Sequence, residues 1–186
     1  MSTLKVNKIE NTATSDGGIA IDSTGHVQLD GVQLPTAGQL SGRRINHNGA
    51  MQIAQRGTSF TGVNATAYHC DRHELYFQNT SAAFTVTQAT DTPDGFGASL
   101  KIDVTTADTS IASNEEIKLT HKIEGFDLQR TAKGTSAAEQ LTLSFYVKAT
   151  KSGTYVVELF DRDNTRDVSA SYTVSDSNWN RYTLTF

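Results

Sequence analysis

Apolar residues recur at every second position along this chain, in short runs separated by turn-forming residues. Before residue 35 the runs are very short: Leu4 and Val6, Ile19 and Ile21, Val27 and Leu29, then Val32 and Leu34 after Gly31. Ser15-Asp16-Gly17-Gly18 and Ser23-Thr24-Gly25 stand between them. The second and third runs predict a β-hairpin closed by residues 22–26. From residue 68 the runs lengthen. Alternation over residues 68–77, 83–88, 99–104, 115–123, 140–149, 154–160, 171–174 and 181–186 predicts strands. Residues 126–130 predict one helical turn, and Thr92-Pro93-Asp94-Gly95 is a strong turn signal. Helical periodicity is otherwise nearly absent. About eight or nine strands with regular turns predict an all-β fold: a short N-terminal β-hairpin stalk followed by an antiparallel two-sheet jelly-roll sandwich.

Residues 46–77 form the joint between the two patterns. Asn48-Gly49 and Arg56-Gly57 signal turns, while Met51, Ile53 and the stem of Gln55 alternate between them. This predicts that the larger domain opens here, through a turn, with its first strand or two. Residues 59–67 read as a polar loop, and residues 68–77 as one uninterrupted strand.

Three segments follow from these patterns: residues 1–34 as hairpin stalk and attachment segment, 35–45 as linker, and 46–186 as the β-sandwich domain. Pro35 ends the preceding strand because it donates nothing to a ladder, and residues 40–45 suit a helical turn. A lone hairpin is marginal in water, and nothing within residues 1–34 covers its apolar face. The remedy expected is a homotrimer in which Leu4, Val6, Ile19, Ile21, Val27 and Leu29 meet their copies about a shared axis. A disordered tail is the competing reading, and apolar alternation counts against it. The pattern reaches Phe186 inside a strand, so the expectation is a longer chain or a last strand completed by a neighbour.

Composition narrows the function. Hydrophobic residues make up 37%, charged residues 19% and prolines number only 2, which suits a wet, Thr-rich β protein. The formal net charge is −4 and no basic stripe is present, so nucleic acid is not an expected partner. Cys70 is the single cysteine, so there is no internal disulfide. The start MSTLKVNKIENT has no apolar secretory core, and no apolar run is long enough for a membrane helix, so neither secretion by a signal peptide nor membrane insertion is expected.

Candidate chemistry is sparse. His69, Asp71 and His73 would share one strand face and resemble a metal cluster on paper; the plainer reading pairs Asp71 and Arg72 with backbone or other charges. Asp161, Asp163 and Asp167 place oxygens on a hairpin tip as a weak calcium candidate. The tip lacks the glycine and distal glutamate of an EF-hand and holds two arginines, so a solvated turn is the plainer reading. No nucleophile elbow or phosphate-binding glycine loop occurs, and neither an enzyme nor a cofactor is expected. A sugar site needs aromatic faces with planar amides, carboxylates or arginine around them. Tyr146, Phe160 and Trp179 are the candidates, each opposite its strand's main apolar face; covering the core edge or an intersubunit contact is the competing role.

The order of motifs carries a resemblance. It runs from Ser-Thr-Leu-Lys-Val-Asn-Lys-Ile at residues 2–9, through a Gly-x-x-x-Asp hairpin, to Asn-Gly-Ala-Met-Gln-Ile-Ala-Gln-Arg-Gly at 48–57 and Tyr68-x-x-Asp71-Arg72. His-Lys-Ile-Glu-Gly-Phe-Asp-Leu at 121–128, Leu-Thr-Leu-Ser-Phe-Tyr-Val-Lys at 141–148, Thr-Tyr-Val-Val at 154–157 and Trp179-x-x-Tyr182-Thr183 follow. Together they resemble the tail-fibre and related virion fibre proteins of tailed bacteriophages, especially those of cyanobacteria and marine bacteria. The resemblance implies a slender trimeric stalk followed by a jelly-roll domain similar to carbohydrate-binding modules. It also implies a virion location, partners among tail or virion proteins through the N-terminal segment, and a host-surface glycan. The chain departs from that pattern at His73, where such domains usually carry an aromatic, and they continue well past the strand around Tyr182. The function expected is non-enzymatic host attachment by a trimeric tail fibre. The alternatives are a capsid or tail decoration protein that binds no glycan, and a free carbohydrate-binding module.

Overall fold

A computed structural model of the chain describes residues 8–9, 19–21, 27–29, 32–33 and 45–186. Within it the chain forms two compact units, Met1–Ile45 and Asn46–Phe186. The fold is all-β and antiparallel, and among the described residues its only helix is the short 3-10 helix Gly125–Thr131.

The first unit holds β1 (Lys8–Ile9), β2 (Ile19–Ile21), β3 (Val27–Leu29) and β4 (Val32–Gln33), hydrogen-bonded in that order. Ile19 pairs with Leu29 and Ile21 with Val27, which is the hairpin register expected around residues 22–26. Ile19 and Ile21 remain 43% and 45% exposed, so pairing with β1 and β3 gives their side chains little cover. Leu4, Val6 and residues 35–44, including most of the expected helical turn at 40–45, lie outside the described residues.

The second unit carries the larger core. β5 (Ser59–Val63), β8 (Ala83–Ala89) and β9 (Ser99–Thr106) form one sheet in the order β5-β8-β9. β6 (Ala67–Cys70), β7 (His73–Gln78) and β10 (Glu116–His121) form another in the order β10-β7-β6. Their inner faces meet through Val63, Leu75, Ala82, Phe84 and Val86, with Phe60, Phe77, Leu100 and Ile102 packed around them. Phe77 and Phe84 bring ring centroids from the two sheets to 5.5 Å. Each such side chain contributes about 1.5–3 kcal/mol when fully buried. This face-to-face pairing is β-sandwich-like.

Two further ladders complete the unit. β11 (Thr142–Val147) pairs with β14 (Asn180–Thr185), and β12 (Gly153–Asp161) with β13 (Arg166–Val174). Phe145, Tyr172 and Tyr182 join them into a second apolar cluster, with Tyr172 centroids 5.1 Å from Phe145 and 4.8 Å from Tyr182. The Tyr182 hydroxyl donates to the Thr173 carbonyl at 3.1 Å, so its polar end is satisfied.

Three expectations are corrected. Residues 59–63 are a strand, not a loop. Phe60 opposes Val86 and Val63 opposes Phe84, so three steps on β5 match two on β8. Such a bulge adds one residue, and Gly62 at φ +65° accommodates it. Phe60 and Val63 thus both reach the core from an odd spacing, which hides the alternation.

Residues 68–77 are two strands, broken by a turn at Asp71-Arg72 with Arg72 at φ +70°. Residues 46–58 hold no strand. Met51 takes φ +54°, which interrupts any alternating face with Ile53 and Gln55. Side chains hold this stretch instead. Asn48 Nδ2 donates to the Ile53 and Asp71 carbonyls, each at 2.9 Å, and Asn48 Oδ1 accepts from the Ile53 amide at 3.0 Å.

Candidate surface site around Asp91

The site begins with the β8–β9 hairpin loop, residues 90–98. The Phe96 amide donates to the Pro93 carbonyl at 3.2 Å, and Gly95 sits at φ +85°. Positive φ at the third residue is the demand of a type II turn, which explains glycine there. Thr92 Oγ1 donates to the Phe96 carbonyl at 2.9 Å and Ser99 Oγ to the Asp91 carbonyl at 2.7 Å, bracing both ends of the loop. Asp91 and Phe96 are thereby presented at the surface.

The β11–β14 ladder supplies the other side. Val147 pairs with Asn180 and Tyr146 with Arg181. One step past the ladder, Lys148 and Trp179 flank its end. Both reach Asp91: Lys148 Nζ lies 2.6 Å from Oδ2, and Trp179 Nε1 donates to Oδ1 at 3.0 Å. These two donors hold the Asp91 carboxyl below the usual carboxylate range, Lys148 contributing most. Tyr146 is 39% exposed and meets Phe96 edge-on with centroids 5.5 Å apart. Tyr146 and Trp179 thus belong to one patch. Phe160 does not: it lies near the far end of β12 opposite Asp167, with 54% of its surface exposed.

The other flank of the same loop lines an open cleft of about 230 Å³ with Gln52, Gln88 and the small residues Ala89, Gly97 and Ala98. Gln88 Nε2 donates to the Met51 carbonyl at 2.7 Å, which fixes the orientation of that amide. The cleft is smaller than the ~300–1,000 Å³ typical of drug-sized ligands. A carboxylate, two primary amides and two aromatic side chains in edge contact thus stand around one loop.

The candidate metal ligands do not converge. Among the described residues no group of three or more His, Cys, Asp or Glu side chains is placed to hold an ion. Asp161 instead accepts from the Asn164 side chain at 2.7 Å and from the Asp163 and Asn164 amides, with Arg166 at 3.6 Å. Asp167 lies on β13, outside that turn. The turn at Asp71-Arg72 likewise separates His69 from His73. Asp71 is occupied by the Gln55 amide at 2.6 Å and by Arg56 at 3.7 Å. His69 is buried edge-on against Phe60 at 4.9 Å.

Asp91, Phe96, Lys148, Gln52 and Gln88 were not singled out from the sequence. The turn at residues 92–95 was legible, but nothing local says that Asp91 meets residues 57 and 88 positions further along. The histidines His47, His121 and His73, with His121 centroids 6.2 Å from His47 and 4.9 Å from His73, are another grouping visible only in three dimensions.

No known family matches the chain, and no characterised protein or solved structure matches it either. Fold and surface together define an antiparallel β domain with an aromatic and charged patch on one hairpin loop, preceded by a separate unit of short strands.

Proposed function

We propose that this chain is a structural protein of a tailed-bacteriophage virion, a trimeric tail fibre that takes part in recognising the host surface. On this reading the first unit is the trimerising stalk and attachment segment, and the second is a jelly-roll domain facing the host. Adhesion is non-enzymatic, and three weak sites on one body gain avidity without new contacts. The observation that carries the reading is the patch at Asp91. Tyr146, Phe96 and Trp179 offer aromatic surface beside a positioned carboxylate and the Gln52–Gln88 cleft. The test is binding of the labelled full-length chain to host cells and to their purified surface polysaccharide. Binding that is lost in Trp179→Ala and Tyr146→Ala but kept in Phe160→Ala is the expected result. Equal binding by all three variants removes this patch as the receptor site.

A decoration role is the second reading. Val104 of β9 and Ile117 and Leu119 of β10 lie on the same sheet faces as Phe84, Phe77 and Leu75, yet are exposed. Apolar inner-face residues at open edges suit packing against a neighbouring virion subunit. Immunogold imaging of virions separates the readings: label on the tail supports the fibre, and label spread over the head supports decoration. Particles that carry no label sink both and favour a free carbohydrate-binding module.

A further inference from the structure

The second unit begins with two fasteners of different chemistry. Asn48 pins the chain to Ile53 and Asp71 through an amide, which does not titrate. One residue earlier, the His47 amide donates to His121 Nε2 at 3.2 Å. His121 Nδ1 lies 3.1 Å from the Arg72 carbonyl. A carbonyl only accepts and an amide N–H only donates, so His121 must carry its proton on Nδ1 and keep Nε2 bare. Both bonds exist together only while this ring is neutral. A second proton would sit on Nε2, facing the His47 N–H, and the bond would be lost.

The surroundings sharpen the dependence. His121 ends β10 and pairs in register with His73 of β7, whose ring centroid is 4.9 Å away. His73 is buried, and its Nδ1 lies 3.2 Å from the Asp71 carbonyl, so that nitrogen also donates. The His47 ring stands on the other side at 6.2 Å. Of the fixed charges nearby, Arg72 disfavours a cation at His121. The acids are already engaged: Glu124 lies 3.5 Å from Arg72, Asp127 lies 3.5 Å from His47 Nε2, and Glu74 lies 3.1 Å from Lys122. Asp71 is taken by Gln55 and Arg56. No carboxylate in this set is placed to stabilise a charged His121. Burial, the neighbouring histidines and Arg72 all depress its proton affinity against the opposing pull of the Arg72 carbonyl.

We propose that His121, held between the His47 amide and the Arg72 carbonyl, is an acid-sensitive latch. It fixes the entry of the chain into the second unit at neutral pH and releases the His47 amide on acidification, while Asp127 keeps the His47 ring and Asn48 the rest of the joint in place. The inference concerns this unit alone and stands whether or not the fibre reading holds.

The experiment is amide hydrogen exchange by NMR on the full chain between pH 7.5 and 4.5, corrected for intrinsic exchange rates. The His121 ring nitrogens are followed in the same samples. The expected result is a fall of about tenfold in His47 protection, comparable to the loss of one hydrogen bond. It tracks protonation of His121 Nε2, while the Ile53 and Asp71 amides stay protected. In His121→Gln, which cannot titrate, His47 protection should no longer change with pH. The proposal is overturned if His121 protonates while His47 protection holds. It is equally overturned if His47, Ile53 and Asp71 lose protection together. The ring-nitrogen measurement on the unmodified chain decides the matter even where His121→Gln fails to fold.

Discussion

The indole N–H of Trp179 donates to Asp91 Oδ1 at 3.0 Å, joining residues 88 positions apart. Trp179 immediately precedes β14 and Asp91 lies just past the end of β8, so this bond ties the C-terminal ladders to the loop of the first sheet. Replacing Trp179 by Phe keeps an aromatic ring and deletes the donor. On the proposed host-attachment reading, Trp179→Phe should weaken polysaccharide binding by up to about tenfold, the value of 1.4 kcal/mol, if Asp91 must be held in place. Titration calorimetry or a polysaccharide pull-down series reads the change, with unaltered binding showing that the bond is only structural.

Asn48 takes φ +52° and makes three hydrogen bonds to backbone within the joint. Asn48→Ala should cost about 2–3 kcal/mol, combining lost hydrogen bonds with a left-handed conformation that alanine disfavours. A lowered urea midpoint at unchanged slope is the expected signature.

Val86 is 1% exposed on β8, whereas Val104 on the adjacent β9 is 61% exposed on the same face. Val86→Ala should therefore destabilise the isolated chain by about 2 kcal/mol, and Val104→Ala by under about 0.5 kcal/mol. Thermal unfolding of the two variants checks the contrast. An assembly defect in Val104→Ala without a stability defect would support a neighbour covering that edge.

Burial lowers the proton affinity of His69, His73 and His121 in the folded chain. The unfolded chain then binds more protons below the ordinary histidine pKa of about 6.5. Stability contributed by neutral histidines is complete above that value and falls as the pH drops through the lowered folded values. The slope should reach at most about 1.4 kcal/mol per pH unit for each histidine involved. Urea unfolding between pH 7.5 and 5 measures it, and His73→Gln should flatten it by one histidine's share.

How much of this was legible depended on how far the information lay along the chain. Strands β8, β9, β11 and β12 announce themselves by strict alternation, as in Leu141, Leu143, Phe145 and Val147. β5 does not, because its bulge spaces Phe60 and Val63 oddly. The turn at Asp71-Arg72 was hidden because an arginine, not a glycine, takes the positive φ there. Tyr146 and Trp179 were identified as surface aromatics and do share a patch. Phe160 met the same local criterion and lies elsewhere, since outward orientation says nothing about which outward residues become neighbours.

The sequence by itself determined the class of fold. Period-two burial and turn chemistry are local properties, written within a few residues of where they act, and they sufficed for an antiparallel all-β chain with a hairpin near its start. Only the tertiary structure decided which side chains meet. Asp91 finds Lys148 and Trp179, and His121 finds His47 and Arg72, because strand order and register bring distant segments together. Those contacts depend on geometry accumulated across whole sheets, which no window of the sequence contains.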